Sequence, residues 1–228
     1  MLTDEMKAIL EKSKGTGWVL EPDAMKILSI AGLDVPEYIH ATSVGEAETF
    51  ASKAGYPLVA KVVSPDILHK SDVGGVVVGI SSDKQLRETY KGFREMKGFA
   101  GAVIEEMLSG VELIVGAKID SQFGPVIVVG IGGVGVEIYK DTAIRMAPIK
   151  KEHVPSMVAD IKARKLLEGF RGSEPVDMER LSSMVVAFSK LVMDLAPFVE
   201  SIDLNPVMCS GSRCVIADAR MILNNAQG

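Results

Sequence analysis

No stretch of these 228 residues approaches the ~20 consecutive apolar residues that a membrane-spanning helix needs. The opening, M-L-T-D-E-M-K, lacks the charged, apolar and small-residue order of a signal peptide. Both absences lead us to expect a cytoplasmic protein with no membrane partner. Basic blocks are missing too: 25 Lys and Arg stand against 30 Asp and Glu, a net charge of −5. That balance argues against nucleic acid or an anionic membrane surface as the main partner. Cysteine is scarce. Cys209 and Cys214 flank S-G-S-R, and a C-x4-C pair alone has too few ligands for a structural zinc site. In a reducing compartment both are expected to be thiols. No internal repeat or low-complexity segment interrupts the chain.

What is present is an ordinary globular balance, 47% apolar and 24% charged, long enough for one large domain or two small lobes. Met6, Ile9 and Leu10 predict a short amphipathic helix over 3–13. Pro22 opens a second helix with Ala24, Ile27, Leu28 and Ala31 on one side, and Gly32 stops it. Residues 33–39 read as extended. Ser43 and Glu46 form a capping box for a third helix that turns Ala47, Phe50 and Ala54 inward and ends at Gly55. Strands follow over 57–63 and 76–80. Ser82 or Asp83 then caps a helix with Leu86, Tyr90, Phe93 and Lys97 at helical spacing. After Gly101 the chain turns to Val- and Ile-rich strands over 102–106, 112–119 and 125–130, with a weaker β signal over 136–146. Residues 151–171 are mixed and partly helical. Asp177 caps a long helix whose buried face runs from Leu181 to Leu195. Strands over 199–208 and 213–219 close the chain. The expected division is an N-terminal lobe over 1–98 and a C-terminal lobe over 99–228.

Several side chains carry chemistry. Lys61 is the one polar residue among Leu58, Val59, Ala60, Val62 and Val63; a phosphate would satisfy it, or it is an edge lysine that guards against aggregation. His69 is either an inert loop histidine or, beside a phosphate site, a nucleophile, since neutral imidazole accepts a phosphoryl group. Gly74-Gly75 would let backbone N–H groups approach an anion. Glu105, Glu106 and Glu112 read as a charged strand end or as a rim for ribose hydroxyls. Arg145 faces solvent or phosphate. Gly130, Gly132 and Gly135 spell G-x-G-x-x-G, but the alternating V-E-I-Y that follows suits a strand, so we reject a dinucleotide-binding helix start.

The last hairpin can be worked out from its bend. If S-G-S-R turns the chain, Cys209 faces Cys214, Asn205 faces Asp218 and Asp203 faces Arg220. Period-two alternation then puts Ile202, Leu204, Pro206, Met208, Val215, Ala217, Ala219 and Met221 on one apolar face. Asp203, Asn205, Asp218 and Arg220 share the other. That face is either a solvated surface with an Asp203–Arg220 pair or a place where Asn205 and Asp218 oxygens share a hard cation such as Mg²⁺.

Five segments carry a resemblance: L-E-P-D-A-M-K-I-L-S-I-A-G-L-D-V-P, G-Y-P-L-V-A-K-V-V-S-P-D-I-L-H-K-S-D-V-G-G-V, F-G-P-V-I-V-V-G-I-G-G-V-G-V-E, L-L-E-G-F-R-G and I-D-L-N-P-V. They cover nearly everything from about residue 18 onward. The chain resembles an ATP-grasp domain, and within that group the beta subunit of ADP-forming acetyl-CoA synthetase. The resemblance implies an α/β (α+β) two-lobed ATP-grasp fold of mostly antiparallel sheets with helices packed on them. It implies ATP/ADP and Mg²⁺ as cofactors. Lys61 is then the phosphate lysine, Gly74 and Gly75 the loop over the phosphates, and Glu105, Glu106, Met107 and Leu108 the hinge beside adenine. Glu112 is the nearby acid, and Arg145 joins the nucleotide-binding set. Asn205 and Asp218 are the Mg²⁺ ligands, Asp203 the acid that orients a phosphohistidine, and His69 the phosphoryl carrier. One departure is Glu21, near which many ATP-grasp enzymes carry an extra lysine. The implied partner is a CoA-binding alpha subunit with its own phosphohistidine, in an α2β2 heterotetramer. Two other readings stay open: a carboxylate ligase without a histidine relay, and a nucleotide-binding regulatory module.

Overall fold

The computed structural model describes residues 1–133, 141–169, 174–211 and 213–224. The chain parts into two units, one formed by Pro36–Leu108 and the other by Met1–Val35 together with Ser109–Gly228. The boundary expected at 98–101 instead falls inside the smaller unit. The reason is long-range pairing: strand β5 (Gly101–Glu106) lies between β2 (Tyr38–Ala41) and β3 (Leu58–Val63), so it cannot leave with the segment that follows.

The smaller unit is a four-stranded antiparallel sheet in the order β2-β5-β3-β4, with β4 spanning Val76–Ile80. Helices α3 (Val44–Ala54) and α4 (Asp83–Arg94) bury their apolar sides against Leu58, Ala60, Val62 and Ile104. The caps are those the sequence predicts. Ser43 Oγ accepts the Glu46 N–H at 3.3 Å, and Ser82 Oγ accepts the Gln85 N–H at 3.3 Å. The inward stripe of α3 is narrower than expected: Ala47 and Ala51 are buried, Phe50 is half-buried and Ala54 is exposed. Lys97 lies beyond the end of α4 and is not part of its face. The extended region starts only at Tyr38.

The larger unit is a seven-stranded antiparallel sheet. Its order is β1 (Trp18–Val19), β11 (Ala219–Leu223), β9 (Val199–Ser210), β6 (Val111–Asp120), β7 (Gly124–Ile131) and β8 (Thr142–Met146), with β10 (Arg213–Ile216) also paired to β9. Among the described residues its helices are α1 (Asp4–Ser13), α2 (Glu21–Ile30), α5 (His153–Asp160) and α6 (Met178–Leu195). Asp177 starts α6 by accepting the Glu179 and Arg180 N–H groups. The buried sheet face carries Leu113, Val115 and Ala117 of β6 beside Val207, Leu204 and Ile202 of β9. Strand β1 is only two residues long, too short to show a period. Of the stretch 136–146, residues 136–140 lie outside the described residues, and β8 takes the end.

Candidate functional site

In the smaller unit every residue of β3 is buried. Lys61 Nζ lies 2.8 Å from Glu105 Oε1, and the two residues are 5% and 3% exposed. The pleat makes this contact. Lys61 is opposite Val103 and Glu105 is opposite Val59, so the two are diagonal neighbours on one face. The alternative of an edge lysine is removed, since β3 runs between β5 and β4. A buried ammonium needs a charged partner, and Glu105 supplies one. Glu105 therefore turns toward Lys61. Its neighbour Glu106 instead accepts the Glu37 N–H at 3.2 Å. Met107 is exposed and Leu108 half-buried.

The loop after β3 carries His69, which is exposed. A 3₁₀ turn over Ser71–Val73 follows, and Gly74 takes the left-handed conformation at φ +70°. Gly75 is boxed in: a Cβ there would sit 2.6 Å from Val62 Cγ1 and 2.9 Å from the Lys70 carbonyl oxygen. Both backbone N–H groups expected to reach an anion are engaged inside the loop. Gly75 donates to Lys70 O at 2.7 Å and Gly74 to Ser71 O at 3.3 Å. In this conformation the two glycines shape the loop, and anion contact through those N–H groups requires the loop to rearrange.

In the larger unit the last hairpin keeps the register worked out from its bend. Cys214 pairs with Cys209, Arg220 pairs with Asp203, and the Asn205 N–H donates to Asp218 O at 3.2 Å. The predicted apolar face holds only for part of its length. Pro206 and Met208 are half-exposed, whereas Val207 and Cys209 are buried. A bulge explains the change of phase: Leu113 pairs with Val207 but Val115 with Leu204, so β9 spends one residue more than β6. Asn205 sits at that bulge and is exposed.

Asp203 is half-buried, with Arg220 Nη2 3.2 Å from its Oδ2. Burial pushes the Asp203 carboxyl above its ordinary pKa; the Arg220 guanidinium opposes the rise and the Asp218 carboxylate adds to it. Two carboxylates that feel each other, beside an exposed amide, form a hard-oxygen donor set. It fits a Mg²⁺-sized cation, which takes one or two carboxylates and leaves the remaining positions to phosphate and water. No group of three or more His, Cys, Asp or Glu suited to a metal occurs among the described residues, so a zinc-like cage has no support there.

Glu112 is exposed on β6, four residues along from Gly116, the residue opposite Asp203; by the pleat it shares Asp203's sheet face. Arg145 does not. It lies opposite the fully buried Ile127, and its Nη2 is 2.6 Å from Asp160 Oδ2 at the end of α5. Ile127 is one step from Val128, which pairs with Gly116, so Arg145 is on the reverse face of the sheet from Asp203. Of the G-x-G-x-x-G stretch, Gly130 closes on Thr142 and Gly132 donates to Glu112 O at 2.6 Å, while Gly135 lies outside the described residues. The feature that sequence reasoning missed is Glu105 as the partner of Lys61. Its only signal was a second charge in an otherwise apolar strand.

Comparison with known proteins follows from these two clusters. The ATP-grasp domain family matches residues 11–223. The chain belongs to the ATP-grasp family. This ATP-grasp domain is 41% identical over 226 residues to the beta subunit of acetate–CoA ligase (ADP-forming) I of Pyrococcus furiosus, across 95% of this chain and 97% of that one. It is 38% identical over 228 residues to acetate–CoA ligase (ADP-forming) I of Archaeoglobus fulgidus, where the match takes 96% of this chain but only 33% of the relative. An acetyl-coenzyme A synthetase of Ca. Korarchaeum cryptofilum superposes with a TM-score of 0.83 at 37% identity, over 96% of this chain and 100% of that chain. That structure holds coenzyme A and Mg-AMPPCP, with a phosphohistidine segment pointing towards the nucleotide binding site. The ATP-grasp domain thus groups with the beta subunits of the ADP-forming acetate–CoA ligases, as its motifs imply.

Proposed function

We propose that this ATP-grasp domain is the nucleotide-binding, phosphoryl-transferring subunit of an ADP-forming acyl-CoA synthetase. The reaction is acyl-CoA + ADP + phosphate ⇌ acid + ATP + CoA. The observation that carries the reading is the match to a beta subunit over nearly all of both chains, with a synthetase of one chain matched over only a third of its length. CoA binding and acyl-phosphate formation fall to an alpha subunit, and the assembly is α2β2.

The roles follow from charge. Phosphoryl transfer moves an anion between anions, so catalysis consists of positioning and of screening negative charge. Lys61, held in place by Glu105, binds nucleotide phosphate. Asn205 and Asp218 hold Mg²⁺, which when bound offsets charge on the phosphates. His69 is exposed on its loop, where an imidazole can take a phosphoryl group from the partner's phosphohistidine and pass it to ADP. Asp203, paired with Arg220, matches the acid that orients a phosphohistidine in the family. Glu106, Met107, Leu108 and Glu112 line the adenosine end. Gly74 and Gly75 let the loop close over phosphate. Arg145, engaged with Asp160, is left out of the nucleotide set.

The test mixes the purified chain with candidate alpha subunits and measures ATP made from ADP, phosphate and several acyl-CoAs. Radiolabelled Mg-ATP should leave an acid-labile phosphate on His69, and His69→Ala should lower turnover by more than about 10³-fold. Full turnover by His69→Ala would replace the relay with direct acyl-phosphate chemistry. Tight nucleotide binding with no phosphoryl exchange, with any partner, would make the chain a regulatory module.

A further inference from the structure

Cys209 and Cys214 play no part in the proposed chemistry, yet they form a like pair in the last hairpin. They face each other across β9 and β10, and both are buried. The backbone shows which kind of pair they form. The Ile216 N–H donates to Asp34 O at 2.9 Å, away from its partner Val207. The Val207–Ile216 pair is therefore not hydrogen-bonded, and pairs alternate, so Cys209–Cys214 two residues along is not hydrogen-bonded either. Cα atoms in such pairs approach to about 4.5 Å, inside the range a disulfide spans. A hydrogen bond that the Cys209 thiol donates to the Cys214 side chain, followed by burial, pushes the Cys209 thiol well above its ordinary pKa. Access is one-sided. Cys214 lines a cavity of about 310 Å³ bordered by Leu33, Asp34, Arg180, Ser183 and Met184, whereas Cys209 is fully buried and does not line it.

We propose that Cys209 and Cys214 form an oxidisable dithiol that closes to an intramolecular disulfide when a small peroxide enters this cavity. The Cys214 thiolate attacks the peroxide, an S–O bond forms, the O–O bond breaks, and the departing hydroxide takes a proton to become water. Cys209 then attacks the Cys214 sulfur with loss of its own proton, an S–S bond forms, and the hydroxyl leaves as a second water. Two thiols are oxidised and one peroxide is reduced. A thiol reductant reverses the change, as suits a chain in a reducing compartment. The disulfide ties β9 to β10, with Cys209 four residues from Asn205 on β9 and Cys214 four residues from Asp218, just past the end of β10.

The experiment treats the folded full chain with hydrogen peroxide, quenches, unfolds it in guanidinium with iodoacetamide, and measures the intact mass. The expected product is monomeric, carries no alkyl group and weighs two hydrogens less than the reduced chain; dithiothreitol restores two alkylation sites. In Cys214→Ser the remaining Cys209 should stay alkylatable after the same treatment, because it does not face the cavity. Two alkylated thiols in treated wild type, added oxygen in place of lost hydrogen, or ready oxidation of Cys209 in Cys214→Ser would each overturn the proposal.

Discussion

Glu105 shows how one side chain sets the state of another. Lys61 is buried on β3, between β5 and β4, and removing its counter-charge would leave an uncompensated ammonium. Glu105→Leu should therefore cost about 3–5 kcal/mol of stability in urea unfolding, whereas Lys61→Met with Glu105→Leu should recover most of it, because an apolar pair replaces a buried ion pair at little cost. The recovered double variant should still bind nucleotide poorly, which separates stability from function. Asp218 is argued from the same kind of contact. Its charge already raises the Asp203 pKa, and a divalent cation would relieve that repulsion. Asp218→Ala should raise the Mg²⁺ concentration for half-maximal ATP formation at least about tenfold, with the thermal melt of the chain little changed.

At the scale of elements, two short devices carry much of the local order. The Ser43–Glu46 box starts α3, and Ser43→Ala should lower stability by about 1 kcal/mol, read as a shift in the urea midpoint. Glu46 also accepts the Thr42 N–H at 2.7 Å, which with the Thr42 hydroxyl holds its pKa below the ordinary carboxylate value. The folded state then binds this proton more weakly than the unfolded chain. The stabilisation is present above the unfolded pKa and is lost as pH falls through the lowered folded one. Glu46→Gln should flatten that part of the acid limb of stability against pH. The bulge in β9 is the second device. It keeps the β9–β10 register yet rotates the strand, which turns Pro206 and Met208 outward and buries Cys209.

For the molecule as a whole, the smaller unit holds Lys61 and His69 and the larger holds the oxygen cluster of Asp203, Asn205 and Asp218. No helix among the described residues is long and apolar enough to cross a membrane. The matching segment of the Archaeoglobus relative is a third of that enzyme. We therefore expect the chain alone to make no ATP from acyl-CoA, ADP and phosphate, and to do so once its alpha subunit is added; a coupled ATP assay reads both.

What the sequence by itself determined is what local chemistry controls. Ser43, Ser82 and Asp177 marked helix starts through hydrogen bonds to N–H groups two or three residues away. The register of the last hairpin followed from its bend, because pairing there propagates residue by residue. The motif segments were enough to identify the ATP-grasp family and the ligase group within it. Tertiary structure alone decided what depends on distant strands. Glu105 meets Lys61 because β5 inserts beside β3, and that same insertion moves the division of the chain to 36–108. Arg145 faces α5 because β8 joins the sheet in one phase and not the other. Pro206 and Met208 turn outward because β6, ninety residues earlier in the chain, is one residue too short to match β9 without a bulge. A period of two or 3.6 is written in neighbouring residues; which strand lies alongside, and in which phase, is settled by packing the whole sheet.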